Sequence, residues 1–425
     1  MICRAVYLED TMNSESQQPT SVDVDKRRVF LKQVGAGAVS ATVASGSGAA
    51  AEAAQEPRPV DGKDDRLVVL KAFPAVLETP TPLLTEDGLT PVNLLFVRNN
   101  QQPKDAGTTS APSLKDWKIE LTGSLNKTLA FDASELADFK QTEVEMVLQC
   151  SGNSRSLYAQ TVETKGTQWG RGGMGNVKFA GVKLSTLLEK KGVRVKTSAR
   201  YVTAEGRDDP LPGKEDFEHS LPIQDVLERS ILALRLNGQP LPAIHGGPVR
   251  LVTPGVYATM NMKWLSRLRF EEEETTNYNQ IPRYRVPLRP IKPGEAIEYT
   301  YANSRFNWGM KVKSVVLAPT PHARLEQGPV QVQGVAFNDG RAEIDSVQIS
   351  LDQGKTWRRT KLQRPKSPYA WTRFAMTVRL PKGKHTIWTR AVDRLGRSQP
   401  LDGSVAWNPS GYEWNGVEKI DVEVV

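Results

Sequence analysis

Cysteine is almost absent from this chain, since its 425 residues include only Cys3 and Cys150. Neither belongs to a CxxC pair or a CxxCH motif, so no zinc, iron–sulfur or covalent haem pattern is present. If Cys3 is removed with an N-terminal leader, Cys150 remains alone and an internal disulfide is excluded. A lone thiol in an exported protein is either buried and inert or occupied by a ligand. The glycine, asparagine and arginine in residues 152–155 favour a ligand.

Long apolar runs are also missing: no stretch approaches the eighteen or so residues of a membrane-spanning helix. Residues 26–32 (KRRVFLK) form a twin-arginine pattern, and a weakly apolar Gly/Ala/Ser-rich segment follows at 34–51. We therefore predict that residues 1–53 are a twin-arginine signal peptide and that the protein is exported to a periplasm. The alternative is a disordered N-terminus with a chance arginine pair.

Charge of both signs is plentiful, with a formal net charge of +8. The basic residues are dispersed, and no RNP, helix-turn-helix or zinc-finger pattern accompanies them, so nucleic acid is not the expected partner. A small anionic substrate or an acidic protein partner explains the excess better.

The chain divides by pattern into two regions after the leader. Residues 54–300 mix strand-like and helical segments, with a predicted strand at 144–149 that ends beside Cys150 and predicted helices at 182–191 and 221–232. From about residue 301 to 425, short alternating strands separated by Asn-Asp-Gly and similar turns predict an immunoglobulin-like antiparallel β-sandwich. The predicted fold class is therefore α+β, a mixed α/β domain followed by a sandwich.

Cys150 is a candidate metal ligand because thiolate binds soft and high-valent transition metals strongly. One cysteine without histidine or carboxylate neighbours cannot hold zinc, but it can complete a site whose other ligands come from a cofactor. A haem, or molybdenum held by the dithiolene of a pterin, meets this requirement.

The segments around Cys150 resemble the sulfite oxidase family over nearly all of the chain after the leader. The resemblance begins with the molybdenum-ligand loop at 150–155 and continues in both regions. The matching segments are Trp169, 173–176, 181–184, 236–242, 245–250, 254–255 and 263–265, then 349–357, Trp371 and 407–408 in the sandwich.

The resemblance implies a molybdenum cofactor with a single pyranopterin (molybdopterin), with Cys150 as the protein ligand to the metal. His245 and Arg250 fall where the family holds the pterin phosphate, and Lys263 falls near the pterin. Asn100 replaces the family's usual histidine and is kept as a predicted cofactor-binding position, although the change removes a potential pterin contact. Buried phosphate calls for arginine forks and lysine charge, which agrees with these residue types.

The resemblance also predicts a substrate pocket for an oxyanion. Arg98 and Arg155 match the family's pocket arginines, while Trp169 and Tyr284 match its pocket aromatics. Either arginine alone could be a surface or salt-bridge residue. Tyr284 competes with the nearby Tyr257 and Tyr278, and its spacing from Trp264 favours it.

A second departure from the family lies near the C-terminus. An arginine there often reaches the pocket in the family, and this chain offers Lys419 instead. A lysine keeps the charge but loses the bidentate fork, so the substrate is less firmly defined than the cofactor.

The activity that the resemblance implies is that of a periplasmic sulfite dehydrogenase, a homodimer that passes electrons to an external c-type cytochrome. One alternative is the sulfane dehydrogenase subunit of a thiosulfate-oxidising complex. Another is a molybdenum-dependent reductase of the same fold, acting on nitrate or methionine sulfoxide. Outside enzymes, the chain could be a binding or structural protein that has lost its cofactor, which the retained lone thiol argues against.

Overall fold

The computed structural model describes residues 60–85, 88–107 and 110–425. The predicted signal peptide, residues 1–53, lies outside them. Within the described part of the chain, no helix is both long and apolar enough to cross a membrane.

The first region is built mostly from short strands. Two α-helices are present in its described part, α1 at Leu184–Lys190 and α2 at Ile223–Arg229. The strands are β1 Val68–Lys71, β2 Val76–Glu78, β3 Val97–Arg98, β4 Lys118–Gly123, β5 Leu129–Asp132, β6 Thr142–Gln149, β7 Met174–Lys183, β8 Tyr201–Gly206, β9 Glu218–Pro222, β10 Ile231–Leu236, β11 Gln239–Pro240, β12 Arg250–Val252, β13 Leu265–Glu271, β14 Arg285–Pro287 and β15 Ser304–Phe306.

These strands form separate small sheets rather than one large one. One sheet has the order β5-β4-β13-β8-β9, in which β4 and β13 are parallel. A second has the order β11-β10-β7-β6, with β12 also paired to β10. The sheet β1-β2-β3 and the pair β14-β15 complete the region.

Both predicted helices are shorter than the pattern indicated. The helix predicted at 182–191 starts only at Leu184, because the preceding residues extend the long strand β7 and pair with β10. The helix predicted at 221–232 spans only Ile223–Arg229. It begins after Pro222 and ends at Ser230, where extended backbone leads the chain into β10. The prediction of a mixed α/β domain therefore overstated the helical share.

The second region contains the strands that the alternation predicted. They are β16 Lys313–Ala318, β17 Ala323–Leu325, β18 Pro329–Phe337, β19 Ile344–Ser350, β20 Arg358–Arg359, β21 Lys361–Gln363, β22 Thr372–Arg379, β23 Gly383–Asp393 and β24 Glu418–Val424. They form two sheets, β16-β18-β22-β21 and β17-β24-β23-β19-β20, with a buried aliphatic cluster of their own. A β-rich second region is thus present, while its immunoglobulin-like topology stays a prediction.

The two regions share a buried apolar cluster that includes Val147 of β6, Met174 of β7 and Phe337 of β18. At the edge of its sheet, β6 is covered by the second region: the Val147 amide donates to the Tyr369 carbonyl at 2.9 Å. Unpaired backbone N–H and C=O groups at a strand edge can pair with another chain. This hydrogen bond pairs one such group of β6, the edge strand that leads to Cys150. The second region therefore helps to fix the strand that carries the thiol.

Replacing Gly181 by alanine should destabilise the protein. A Cβ at this position of β7 would overlap the backbone carbonyl of Leu232 on β10, which cannot move away as a flexible side chain could. The overpacking should cost about 1–3 kcal/mol, measured as a lower melting temperature of cofactor-free protein. Gly309→Ala is the matched control, because its nearest neighbours would lie at ordinary contact distance, 3.4 Å. Equal melting temperatures for the two variants would contradict the packing described.

Candidate active site

Cys150 stands at the end of β6, half-buried, in the wall of a cavity. Its amide donates to the Gly173 carbonyl at 2.9 Å, and its carbonyl accepts from the Asn153 amide at 3.0 Å. The Asn153 side chain in turn accepts from the Gly173 amide at 3.0 Å. This turn is tight, since a Cβ on Gly152 would lie 2.5 Å from the Arg155 guanidinium. The local backbone thus fixes the position of the Cys150 thiol.

Among the residues that the structure describes, no protein-only metal site accompanies this thiol. In the ranges that the structure describes, no group of three or more His, Cys, Asp or Glu side chains could hold a metal ion. Cys150 can therefore contribute one soft ligand, and a metal at this position needs further ligands from a cofactor.

One end of the cavity is lined by buried cations. Arg250 is 2 % exposed, and its guanidinium donates to the carbonyls of His245 and Asn261, both at 3.0 Å. The Lys263 ammonium donates to the Ile244 carbonyl at 2.7 Å and to the Asn99 side chain at 2.6 Å. Four residues predicted from the sequence (Asn100, His245, Arg250 and Lys263) all line this cavity.

Burial shifts the ionisation of these groups. It lowers the pKa of Arg250 to about 9, and burial followed by repulsion from Arg250 lowers the pKa of Lys263. The pKa of His245 is also held well below its usual value, first by burial and then by the neighbouring lysines, so its ring is neutral at pH 7. An anion placed here would relieve this repulsion and favour the charged forms.

A single carboxylate, that of Asp208, occurs among the cavity-lining residues that the structure describes. Burial raises its pKa to about 7, so near neutral pH it offers only part of a negative charge. The protein thus supplies several cations and little anionic compensation, and desolvated charges need compensation to be stable. This end of the cavity suits a buried phosphate.

Arg98 and Tyr284 meet at the other end through Asn100. The side-chain oxygen Oδ1 of Asn100 accepts from Arg98 at 2.5 Å and from Arg283 at 2.8 Å. Its amide group donates to the Tyr284 hydroxyl at 2.5 Å. Two guanidinium groups therefore converge on one oxygen atom beside a phenol. This geometry is suited to an oxyanion, because charge-assisted hydrogen bonds from arginine are strong and directional.

Arg155 is buried against the turn that follows Cys150, but it does not line the cavity. Its guanidinium donates to the Ser410 carbonyl at 2.8 Å and the Thr167 carbonyl at 2.7 Å, and it lies 5.3 Å from the ring centre of Tyr412. Burial lowers its pKa, and the charges of Tyr412 and Cys150 partly oppose that effect. Arg155 therefore adds positive potential near the thiol, while two of its donors are already taken.

Trp169 is completely buried behind the cavity, edge-on to Phe96 with ring centres 5.9 Å apart. Its indole N–H has no hydrogen-bond partner among the described residues. A buried donor without a partner is costly and marks a position where a further acceptor would be favoured. The predicted role of Trp169 in the pocket stays a prediction.

Three residues at the site were not foreseen. They are Lys63, which contacts His245, Arg283, which shares Asn100 with Arg98, and Tyr412, whose ring stacks on Tyr284 at 5.2 Å. Arg283 directly precedes Tyr284 in the sequence. This adjacency to a predicted pocket residue was the signal that could have identified Arg283. Nothing in the local pattern marked Lys63 or Tyr412, which lie far along the chain from their partners.

Lys419 does not take the place of a pocket arginine. It lies on an exposed position of β24, with its ammonium 4.2 Å from the ring centre of Trp388. Side chains alternate between the two faces of a strand, and the neighbouring Glu418 takes the buried face. The expectation that Lys419 supplies charge to the pocket was wrong.

Replacing Arg283 by glutamine should raise the pKa of Tyr284. Burial alone would raise that pKa, but the charges of Arg98 and Arg283 and the Asn100 hydrogen bond outweigh it and bring the pKa below its usual value. Removing one cation destabilises the phenolate, so the pKa must rise. Ultraviolet absorbance titration measures the change, with Tyr284→Phe identifying the signal. The control Arg289→Gln changes an exposed arginine and should leave the titration unaltered; an unaltered titration in Arg283→Gln would contradict the network.

Two protein-family models match this chain. Residues 106–279 match the oxidoreductase molybdopterin binding domain, and residues 304–424 match the Mo-co oxidoreductase dimerisation domain. The chain is 31% identical over 344 residues to sulfite oxidase from Gallus gallus, covering 79% of this chain and 73% of that protein. It is 30% identical to mitochondrial sulfite oxidase from Homo sapiens over 359 residues, covering 82% of this chain and 64% of that protein. The chain thus spans less than two thirds of the length of this relative.

One solved structure is similar to this chain over most of the length of both proteins. The sulfane dehydrogenase SoxCD from Paracoccus pantotrophus superimposes with a TM-score of 0.69 at 26% sequence identity, covering 88% of this chain and 92% of that chain. This likeness extends over both regions described above.

The residues present fit a molybdopterin cofactor. His245, Arg250 and Lys263 would hold its phosphate, the neutral His245 ring through a hydrogen bond and the other two through their charge, and the thiol of Cys150 would bind the metal; these individual roles remain predictions from the sequence. The lone soft ligand and the cationic cavity end are features that a pterin-bound metal requires. The chain belongs to the sulfite oxidase family of molybdenum-dependent oxidoreductases, and its cofactor is molybdenum with molybdopterin.

Proposed function

We propose that this protein is a periplasmic sulfite dehydrogenase, which oxidises sulfite to sulfate and passes the electrons to an external c-type cytochrome. The observation that carries the proposal is the convergence of Arg98 and Arg283 on the side-chain oxygen of Asn100; Arg98 and Asn100 line the cavity that contains Cys150, and Arg283 reaches Asn100 from outside that wall. Two guanidinium groups separated by one oxygen atom match the size and charge of a small dianion.

The oxidation consumes one water per sulfite and yields sulfate, two protons and two electrons. The bound cofactor supplies the two-electron redox chemistry and oxygen-atom transfer, and the protein supplies binding and orientation. Arg98 and Arg283 would bind the substrate oxygens in place of the Asn100 contact. The Tyr284 hydroxyl, held by the Asn100 amide, would donate a hydrogen bond to the same anion.

The positive potential of Arg155 supports the same assignment. Its guanidinium is fixed by two backbone carbonyls, so it cannot swing toward the substrate without losing those bonds. A fixed cation close to the reacting centre stabilises a bound anion without reorganisation, which is how preorganised sites act.

Location, acceptor and assembly are part of the proposal. The twin-arginine pattern at residues 26–32 supports export of a folded, cofactor-loaded protein to the periplasm. A c-type cytochrome is the proposed acceptor because the sequence itself contains no CxxCH motif for covalent haem. The match of residues 304–424 to a dimerisation domain supports a homodimer.

A second candidate is the oxidation of sulfane sulfur carried by a partner protein. The similarity to sulfane dehydrogenase SoxCD over 88% of this chain favours it. Activity only in the presence of partner proteins, without turnover of free sulfite, would establish this candidate instead.

Replacing Arg98 by glutamine should raise the KM for sulfite while the cofactor content stays unchanged. Loss of one charge-assisted hydrogen bond costs about 1.5–3 kcal/mol, which corresponds to a KM roughly 10- to 150-fold higher. Steady-state reduction of ferricyanide and then of cytochrome c gives the KM, and molybdenum is measured on the same samples by mass spectrometry.

The matched control is Arg289→Gln, which removes an exposed arginine outside the cavity. Its KM should equal that of the wild type. Robust sulfite oxidation with the same KM in Arg98→Gln would contradict the proposed role of Arg98 in substrate binding.

A further inference from the structure

The first described residues, 60–67, form a strap across one side of the first region. Val60 and Leu67 are buried in its main apolar core. The Asp61 amide donates to the Gly107 carbonyl at 3.0 Å, and the Asp64 amide donates to the Asn93 carbonyl at 3.1 Å. Backbone bonds at both ends therefore hold the middle of the strap against the segment that leads into β3.

Lys63 in the middle of this strap points inward and is 9 % exposed. Its ammonium has three partners: the Val92 carbonyl at 2.6 Å, the Leu95 carbonyl at 2.8 Å and the His245 Nε2 atom at 2.7 Å. An ammonium group has three donors and no acceptor, so these contacts use all of them. With Nε2 accepting, the neutral His245 ring carries its proton on Nδ1.

His245 belongs to two cavities at once. It lines the cavity that contains Cys150, and it also lines an open groove on the strap side, where Lys63 is a wall residue as well. The Lys63–His245 contact therefore separates the cofactor cavity from the solvent in that groove. Removing the lysine side chain would leave His245 free to turn and would open this wall.

Burial lowers the pKa of Lys63 to about 7, so near neutral pH Lys63 adds part of a positive charge to the cationic end of the cavity, and a bound anion would favour the full charge. Lys63 is a fourth basic side chain beside His245, Arg250 and Lys263, and it acts on His245 directly. A lysine buried against other cations is costly unless carbonyl groups or an anion compensate it. The two carbonyl partners compensate part of its charge, and an anionic ligand would compensate the remainder.

We propose that Lys63 is a further cofactor-positioning residue, which fixes the His245 ring for the cofactor phosphate and closes the strap over that end of the cavity. The proposal rests on the predicted assignment of His245 and Arg250 to the phosphate. It implies that cofactor binding and the seating of residues 60–67 stabilise each other. Because those residues follow the predicted leader, a cofactor-loaded chain would have this segment held in place before export.

The test is cofactor retention by the full-length protein, without any substrate. Wild type, Lys63→Met and Lys63→Arg are loaded in a host that makes molybdopterin, purified and dialysed. Molybdenum is followed by mass spectrometry and the pterin by the fluorescence of its oxidised form. Lys63→Met should lose both about tenfold faster or more, since a hydrogen bond from a charged group is removed. Lys63→Arg, which keeps the charge, should lose them more slowly than Lys63→Met.

Lys71→Met is the control for a lost lysine on the same stretch of chain, because Lys71 is exposed. Its retention should equal that of the wild type. Melting temperatures of the cofactor-free proteins separate positioning from a purely structural role. Unchanged retention in Lys63→Met would overturn the proposal. Equal losses in the Met and Arg variants, together with equally lowered melting temperatures of their cofactor-free forms, would also overturn it.

The result is independent of the substrate assignment. If the enzyme oxidises sulfane sulfur rather than sulfite, the retention measurements keep their meaning. A wild-type protein that carries no molybdopterin would instead overturn the cofactor assignment, and this proposal with it.

Discussion

Buried positive charge around one cavity is the constraint on which the rest of this structure depends. The cations concerned are Lys63, Arg155 and Arg250, which are buried, and Arg98, Lys263 and Arg283, which are half-buried. Asp208 is the one carboxylate among the cavity-lining residues that the structure describes. Desolvating such charges costs several kcal/mol each unless they are compensated. The fold provides part of this compensation with backbone carbonyls, such as those of Val92, Ile244 and Ser410. An anionic cofactor and an anionic substrate are the natural providers of the remainder.

Both regions of the chain are needed to build this arrangement. The second region supplies Tyr412, which stacks on Tyr284, and the Ser410 carbonyl, which holds Arg155. Its Lys313 donates to Ser154 at 2.9 Å, in the loop that begins at Cys150. The region matched to a dimerisation domain thus also contacts residues around the candidate active site, although the residues that line the cavity all come from the first region.

The strand before Cys150 was predictable from the sequence, and the end of that strand gives the position of the thiol. Alternation at residues 144–149 corresponds to β6, which ends at Gln149 immediately before the thiol. The strands of the second region were equally visible, because period-two alternation and turn residues are local signals. The resemblance then selected residues that the fold brings together, including Arg98, His245, Arg250, Lys263 and Tyr284.

The features that were missed depend on contacts between distant parts of the chain. Lys63 meets His245 across 182 positions, and no local pattern carries that information. The helices predicted at 182–191 and 221–232 failed at their ends, where residues 182–183, 221–222 and 231–232 belong to β7, β9 and β10 and strand pairing outweighed helical periodicity. Lys419 was misjudged because its direction depends on which face of β24 is buried, and a one-residue shift reverses the face.

Counting the sulfur ligands of molybdenum tests the central claim most directly. X-ray absorption at the molybdenum edge would be measured on the wild-type protein and on Cys150→Ser, with metal and pterin contents determined in parallel. The account predicts about one molybdenum per wild-type chain and one sulfur ligand fewer in the variant, because the thiolate of Cys150 is a ligand alongside the sulfurs of the cofactor. An identical sulfur count in the two proteins, or wild-type protein without molybdenum, would contradict it.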